Sequence, residues 1–149
     1  MHFAAPSAPA ALASFRERFA GDPLVTDKWI GIVACRPHPD ALDDVQALLA
    51  SPWWKPTNPN RVRALVGSFA RGNPLGFHRR DGAGYQLVAA QVDVLDKLNP
   101  QVAARLLGGF ESWRRLTEPR RAHARDALAR LDGKLASSDG RDLLQRLRD

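Results

Sequence analysis

Gln101 and Arg105 are the two side chains whose types and spacing best suit the chemistry of recognition. They lie four residues apart in the run Pro100-Gln101-Val102-Ala103-Ala104-Arg105, so on a helix they stand one turn apart on one side. A Gln carboxamide both donates and accepts hydrogen bonds, and an Arg guanidinium pairs with carboxylates. Two readings of the pair stand. It is a solvated flank, as charged helix faces usually are, or it faces a cavity that belongs to something larger than this chain.

Bond-breaking chemistry has no comparable support. The histidines are His2, His38, His78 and His123, with no two at i and i+4 and no H-E-x-x-H. Glutamate occurs only at Glu17, Glu111 and Glu118, none near a histidine pair, which argues against a zinc site. Cys35 is the single cysteine. It has no CxxC partner, reads as a buried inert thiol, and points to a reducing compartment, hence a cytoplasmic location. Asp81-Gly82-Ala83-Gly84 lacks the Lys-Ser/Thr that follows the glycines of a phosphate loop. His78, beside Arg79, Arg80 and Asp81, has no nucleophile to serve and reads as a structural histidine in a polar loop. The chain by itself is therefore expected to hold no catalytic residue, no metal and no cofactor.

The elements that must position Gln101 and Arg105 are helices. Asn99 can cap a helix with Pro100 at its first position. Val102, Leu106, Phe110 and Trp113 then repeat at four, four and three, which predicts one helix through Trp113. The same cap signature stands at Asp22-Pro23 and Asn58-Pro59. Leu12, Phe15 and Phe19 predict a first helix ending near Ala20, and Leu24, Lys28 and Ile32 a second that stops at Pro37 and Pro39. Gly31 inside it is unfavourable and marks a close approach of another helix. Leu42, Val45 and Leu49 predict a third helix after Asp40, and Val62, Leu65, Val66 and Phe69 a fourth. Ser51 to Thr57 reads as an ordered loop whose Trp53 and Trp54 fill space between helices. Gly72 to Gly84 reads as a long connection rich in turn formers. Tyr85, Val88, Val92 and Leu95 give a fifth helix before Asn99. Leu128 and Leu131 give a seventh, stopped by Gly133, and Ser138 caps a short last helix with Leu143, Leu144 and Leu147. The expected fold is all-α, about eight helices in stacked antiparallel pairs.

Of 149 residues, 44% are hydrophobic and 26% charged, the balance of an ordinary soluble domain. No apolar run is long enough to span a membrane. Residues 1–10, small and apolar, read as a flexible segment. The net charge of +6 would attract an anion, and Arg114, Arg115, Arg120, Arg121, Arg125 and Arg130 crowd one region. No aromatics are interleaved among them to stack on bases, so nucleic acid is not the expected partner.

Five ordered motifs go further. They are Asp22-Pro23-Leu24-Val25 with Asp27-Lys28-Trp29; Asn58-Pro59-Asn60-Arg61-Val62-Arg63; Asn73-Pro74 with Phe77-His78; Asp81-Gly82-Ala83-Gly84-Tyr85; and Leu98-Asn99-Pro100-Gln101-Val102-Ala103-Ala104-Arg105. In this order and spacing the chain, from about Phe15 to Arg130, resembles the C-terminal helical domain of bacterial aminopeptidase N, the zinc-dependent alanyl aminopeptidases. It departs from that family at Ile30-Gly31-Ile32, where an aromatic residue and then Leu-Gln are usual.

The resemblance implies an α-superhelix of the HEAT/ARM kind, with residues 11–149 as the second half of that domain. It implies a domain that caps the catalytic domain and closes a cavity over the zinc, which that other domain holds. Gln101 would lie at the far end of the pocket for the substrate's first side chain, and Arg105 would line the same cavity. Arg61 or Arg63 would lie near the way into the cavity or bind the catalytic domain. The implied partners are that catalytic domain and a peptide substrate. Two other readings compete: a free-standing helical adaptor that binds a protein or peptide, and a weak basic nucleic-acid binder.

Overall fold

The computed structural model describes residues 8–38 and 40–149, and among them it is helical throughout, with no strand. We label nine helices among these residues: α1 (Ala8–Arg18), α2 (Pro23–Ala34), α3 (Ala41–Leu49), α4 (59–72), α5 (Pro74–Phe77), α6 (Ala83–Asp96), α7 (Pro100–Leu107), α8 (Arg120–Ala129) and α9 (Ser138–Arg148). Most of the expected flexible segment and Pro39 lie outside the described residues. Residues 8–10 already belong to α1.

The caps form as the sequence predicts. Asp22 accepts the N–H groups of Leu24 and Val25, Asn58 those of Asn60 and Arg61, and Asn99 that of Val102. These side chains satisfy donors that the first turn leaves orphaned. Asn73-Pro74 uses the same device: Asn73 accepts from the Gly76 N–H at 3.0 Å and donates to the carbonyls of Ala34 and Arg36, both at 2.9 Å. This cap makes α5, so the expected long connection from Gly72 to Gly84 contains a helical turn. It is the ninth helix, beyond the eight read from periodicity. At the other end of the chain Ser137, not Ser138, caps α9, accepting the Gly140 N–H at 3.0 Å.

Helices pack in pairs: α2 against α3 and α4, α6 against α7 and α8, α7 against α9. Ile30, Val45, Val66, Phe69, Val88, Val92 and Leu107 are fully buried at their common centre, and Trp29, Trp53 and Trp54 are half-buried against it. An aromatic cluster joins α5 to α6, with Phe77 edge-on to Phe69, Tyr85 and Phe110 at ring separations of 5.1 to 6.4 Å. Such T-shaped contacts add roughly 0.5–1.5 kcal/mol each beyond area burial. Gly84 is what lets α5 and α6 come so close. A Cβ there would stand 2.4 Å from the carbonyl oxygens of both Gly76 and Phe77. At Gly31 the expected helix neighbour is α4, but at ordinary spacing: a Cβ would meet Ser68 Oγ at 3.5 Å and the Ala64 carbonyl oxygen at 3.6 Å.

The helix carrying Gln101 does not run through Trp113. It gives way after Leu107 to 3-10 turns at Gly108–Phe110 and Trp113–Arg115. All four apolar residues that predicted it, Val102, Leu106, Phe110 and Trp113, are nevertheless buried. Trp113 Nε1 donates to the Leu147 carbonyl at 2.9 Å, joining this segment to α9. No described helix is long and apolar enough to cross a membrane.

Candidate functional site

A groove of about 780 Å³ runs between α4 and α7, with Ala64, Val102 and Leu106 supplying its apolar wall. Its charged lining is Arg63, Arg71 and Arg105, with no Asp or Glu among the lining residues. A basic, partly apolar concavity of this kind favours a ligand that carries a carboxylate beside apolar surface.

The shape of α4 puts two of these arginines on one side. The helix is α-helical over Pro59–Val62, π-helical over Arg63–Gly67 and α-helical again over Ser68–Gly72. Ser68 marks the wide turn: its N–H reaches back five residues to the Arg63 carbonyl, and its hydroxyl donates to the same oxygen at 3.2 Å. A π turn inserts one residue, which rotates everything after it by about 100°. Residues 63 and 71 would stand about 80° apart on an unbroken α-helix, and the insertion brings them within about 20°.

Arg105 is exposed and lines the groove, as does Arg63. Gln101 is exposed on the first turn of α7 but is not part of the lining. Arg61 goes elsewhere. Only 5% exposed, it donates from Nε to Asp27 and from Nη1 to the Trp53 carbonyl, both at 2.5 Å. Its guanidinium thus joins α4 to α2 and to the Trp53 main chain, and Arg61 is not among the residues that line the groove. Arg71 has no signal in the sequence. It stands eight residues from Arg63, a spacing that shares a face only because of the π turn.

Cys35 also borders the groove, with Sγ donating to the Ser68 carbonyl at 3.4 Å. Burial pushes its thiol above the ordinary 9.0, the direction of low reactivity. His78 Nδ1 shares a hydrogen bond of 2.9 Å with Tyr85 Oη, away from the groove. Among the described residues no group of three or more His, Cys, Asp or Glu stands close enough to hold a metal ion. Four of the six crowded arginines make contacts within the chain. Arg114 donates to the Leu147 carbonyl at 2.8 Å, Arg120 to the His78 carbonyl at 2.6 Å, Arg121 to Glu118 at 2.9 Å, and Arg130 to Gln86.

Helices packed in pairs, with a basic groove between two of them, define a helical-repeat domain. All 149 residues match a family described as a domain of unknown function (DUF3458_C) with ARM repeats, and the chain belongs to that family. Its relatives say which protein such a domain comes from. The chain is 48% identical over 105 residues to the aminopeptidase N of Caulobacter vibrioides, covering 70% of this chain and 12% of that protein. It is 37% identical over 136 residues to the aminopeptidase N of Haemophilus influenzae, covering 91% of this chain and 15% of that one. Its fold superposes on the crystal structure of Legionella pneumophila aminopeptidase A in complex with aspartic acid with a TM-score of 0.87, at 35% identity over 95% of this chain and 16% of that one. The chain is thus homologous to the C-terminal domain of aminopeptidase N, and spans about one seventh of the length of these relatives.

Proposed function

We propose that this chain closes the substrate cavity of a zinc-dependent aminopeptidase and shapes which peptides the enzyme accepts. The observation that carries the reading is the groove between α4 and α7, where Arg63, Arg71 and Arg105 converge with no lining carboxylate. Gln101 stands one turn before Arg105, toward the pocket for the substrate's first side chain. The zinc belongs to the catalytic domain of the parent enzyme. The described residues do not fit it: His38 has only Asp40 beside it, His78 is bonded to the Tyr85 hydroxyl, and no three His, Cys, Asp or Glu stand together among the described residues. What this chain contributes is charge and shape. Arginine at the cavity wall adds positive potential, which suits an acidic side chain or the C-terminal carboxylate of a peptide. The Legionella relative was solved with aspartic acid, a ligand of that kind. The partners are the catalytic domain, in a reducing, cytoplasmic setting that suits the lone Cys35, and a peptide in the shared cavity.

The test is made in the intact aminopeptidase. Gln101→Ala should change the ranking of N-terminal residues by kcat/KM, because selectivity is a difference in transition-state binding between substrates. Arg105→Ala should lower kcat/KM for di- and tripeptides by about tenfold more than for single-residue amides, the factor that about 1.4 kcal/mol of lost interaction gives. Equal losses on every substrate, or none, would remove both residues from the cavity.

A further inference from the structure

We propose that Arg71 is a positioning residue that locks α7 onto α4 and thereby sets the height at which Gln101 and Arg105 meet the substrate. The inference rests on the cavity reading above and adds a residue to it. Arg71 Nη2 donates to the main-chain carbonyl of Arg105 at 2.8 Å, across 34 residues of chain. That carbonyl lies in the last turn of α7, where helix carbonyls lose their partners four residues on. The helix also tightens there into the 3-10 turn Gly108–Phe110. A guanidinium at this end satisfies an acceptor and complements the negative end of the helix dipole.

The chain leaves room for this contact. A Cβ on Gly108 would come 3.1 Å from Arg71 Nη2, and one on Gly109 would come 3.2 Å from the Ala70 Cβ. The two glycines therefore let the last turn of α4 approach the end of α7. The π turn of α4 rotates Arg71 to the groove side from which it makes the bond. Arg71 thus acts on the residue that lines the groove through that residue's own main chain.

An eight-residue helix held at its C-terminal end by a charge-assisted bond keeps its side chains in register. A misplacement of about 1 Å can cost up to ~100-fold in rate, so releasing the tether should be read as altered selectivity. The bond donor, not the bulk of the side chain, is what matters. Lysine can reach the same carbonyl with an ammonium, whereas methionine fills the space without a donor.

The experiment uses the intact aminopeptidase with Arg71→Met, Arg71→Lys, Arg105→Ala and Gln101→Ala. Two quantities are measured: amide hydrogen exchange of residues 101–107, and kcat and KM over a panel of N-terminal residues. Arg71→Met should speed exchange in α7 and shift the kcat/KM ratio between a small and a large N-terminal residue by fivefold or more, through KM more than kcat. Arg71→Lys should restore at least half of that shift. Unchanged exchange in Arg71→Met, or an equal loss on all substrates while Gln101→Ala still re-ranks them, would overturn the role of Arg71 and leave the cavity reading standing. If Gln101→Ala and Arg105→Ala leave every ratio unchanged, the cavity reading fails and the role of Arg71 fails with it.

Discussion

Arg61 and Asp27 form an ion pair at 2.5 Å between α4 and α2, with side chains only 6% and 17% exposed. A third group completes it, the Trp53 carbonyl, which also accepts from the Arg61 guanidinium. One arginine thus fastens two helices and the tryptophan loop. A pair this deep gives modest net stability, but breaking it strands a charge.

Arg61→Met should therefore lower the unfolding free energy by about 3 kcal/mol, since Asp27 loses its partner in a half-buried site. Denaturant melts of Arg61→Met, Asp27→Asn and the double variant test this. A double variant no less stable than Arg61→Met alone is the expected outcome. A loss under about 0.5 kcal/mol for Arg61→Met would place the arginine on the surface after all.

Two glycines should respond with opposite signs. Gly84→Ala forces its methyl to 2.4 Å from two carbonyl oxygens, and neither main chain can yield without separating α5 from α6. It should cost at least 2 to 3 kcal/mol, roughly the penalty of an overpacked core. Gly31→Ala adds its methyl at ordinary contact distance in mid-helix and should stabilise by roughly 0.5–1 kcal/mol. Thermal melts of the two variants decide it, and a shift of the same sign in both would contradict the geometry.

Asp96 is 2% exposed at the end of α6 and accepts from the Ala136 N–H at 2.6 Å, the Ser137 N–H at 3.0 Å and the Ser137 hydroxyl. Burial pushes its carboxyl up. The bonds from Ser137 and Ala136, with the charge of Arg141, outweigh that and hold it below the ordinary 3.8. A depressed folded value means that the unfolded chain binds the proton more readily. The contribution of Asp96 is thus complete above pH 3.8 and is lost as the pH falls below 3.8 and through the folded value. Asp96→Asn should be less stable at pH 7 and should lose less stability than the parent between pH 4 and 2. Parallel acid-unfolding curves for the two proteins would refute it.

His78 opens a second window at higher pH. Burial, and then the positive Arg120, hold its imidazole below the ordinary 6.5. Tyr85, pushed up to about 12 by burial, keeps its proton and can donate it to neutral Nδ1. Here too the unfolded chain binds the proton more readily, so stability is full above pH 6.5 and declines as the pH drops below it. His78→Asn keeps an acceptor without the titration, and its melting temperature should change less than the parent's between pH 7.5 and 5.5. A variant with an unaltered slope would assign the effect to other groups.

Local signals in the sequence determined where most helices start and, in α4 and α6, which face is buried. In α2 the buried residues are Thr26, Ile30, Val33 and Ala34, while Leu24, which helped predict that helix, is 68% exposed. Asp22, Asn58 and Asn99 before proline mark three caps because a short polar side chain and a fixed φ act within one turn. Val62, Leu65, Val66 and Phe69 are buried as their spacing predicts. The same signature was legible at Asn73-Pro74, but the glycines on either side favoured a loop, and only contact with Ala34, Arg36 and Phe69 makes a four-residue helix hold there. Three features needed the tertiary structure. The wide turn at Arg63–Gly67 leaves no mark in a 3.6-residue period, so the pairing of Arg63 with Arg71 was hidden. The change from α7 to 3-10 turns leaves its apolar residues buried, so periodicity could not find its end. Arg61 and Arg63 are two residues apart and chemically alike, yet one is spent on Asp27 and the other faces the groove. That choice depends on what folds against each side of α4, and sequence spacing along one helix carries no record of its neighbours.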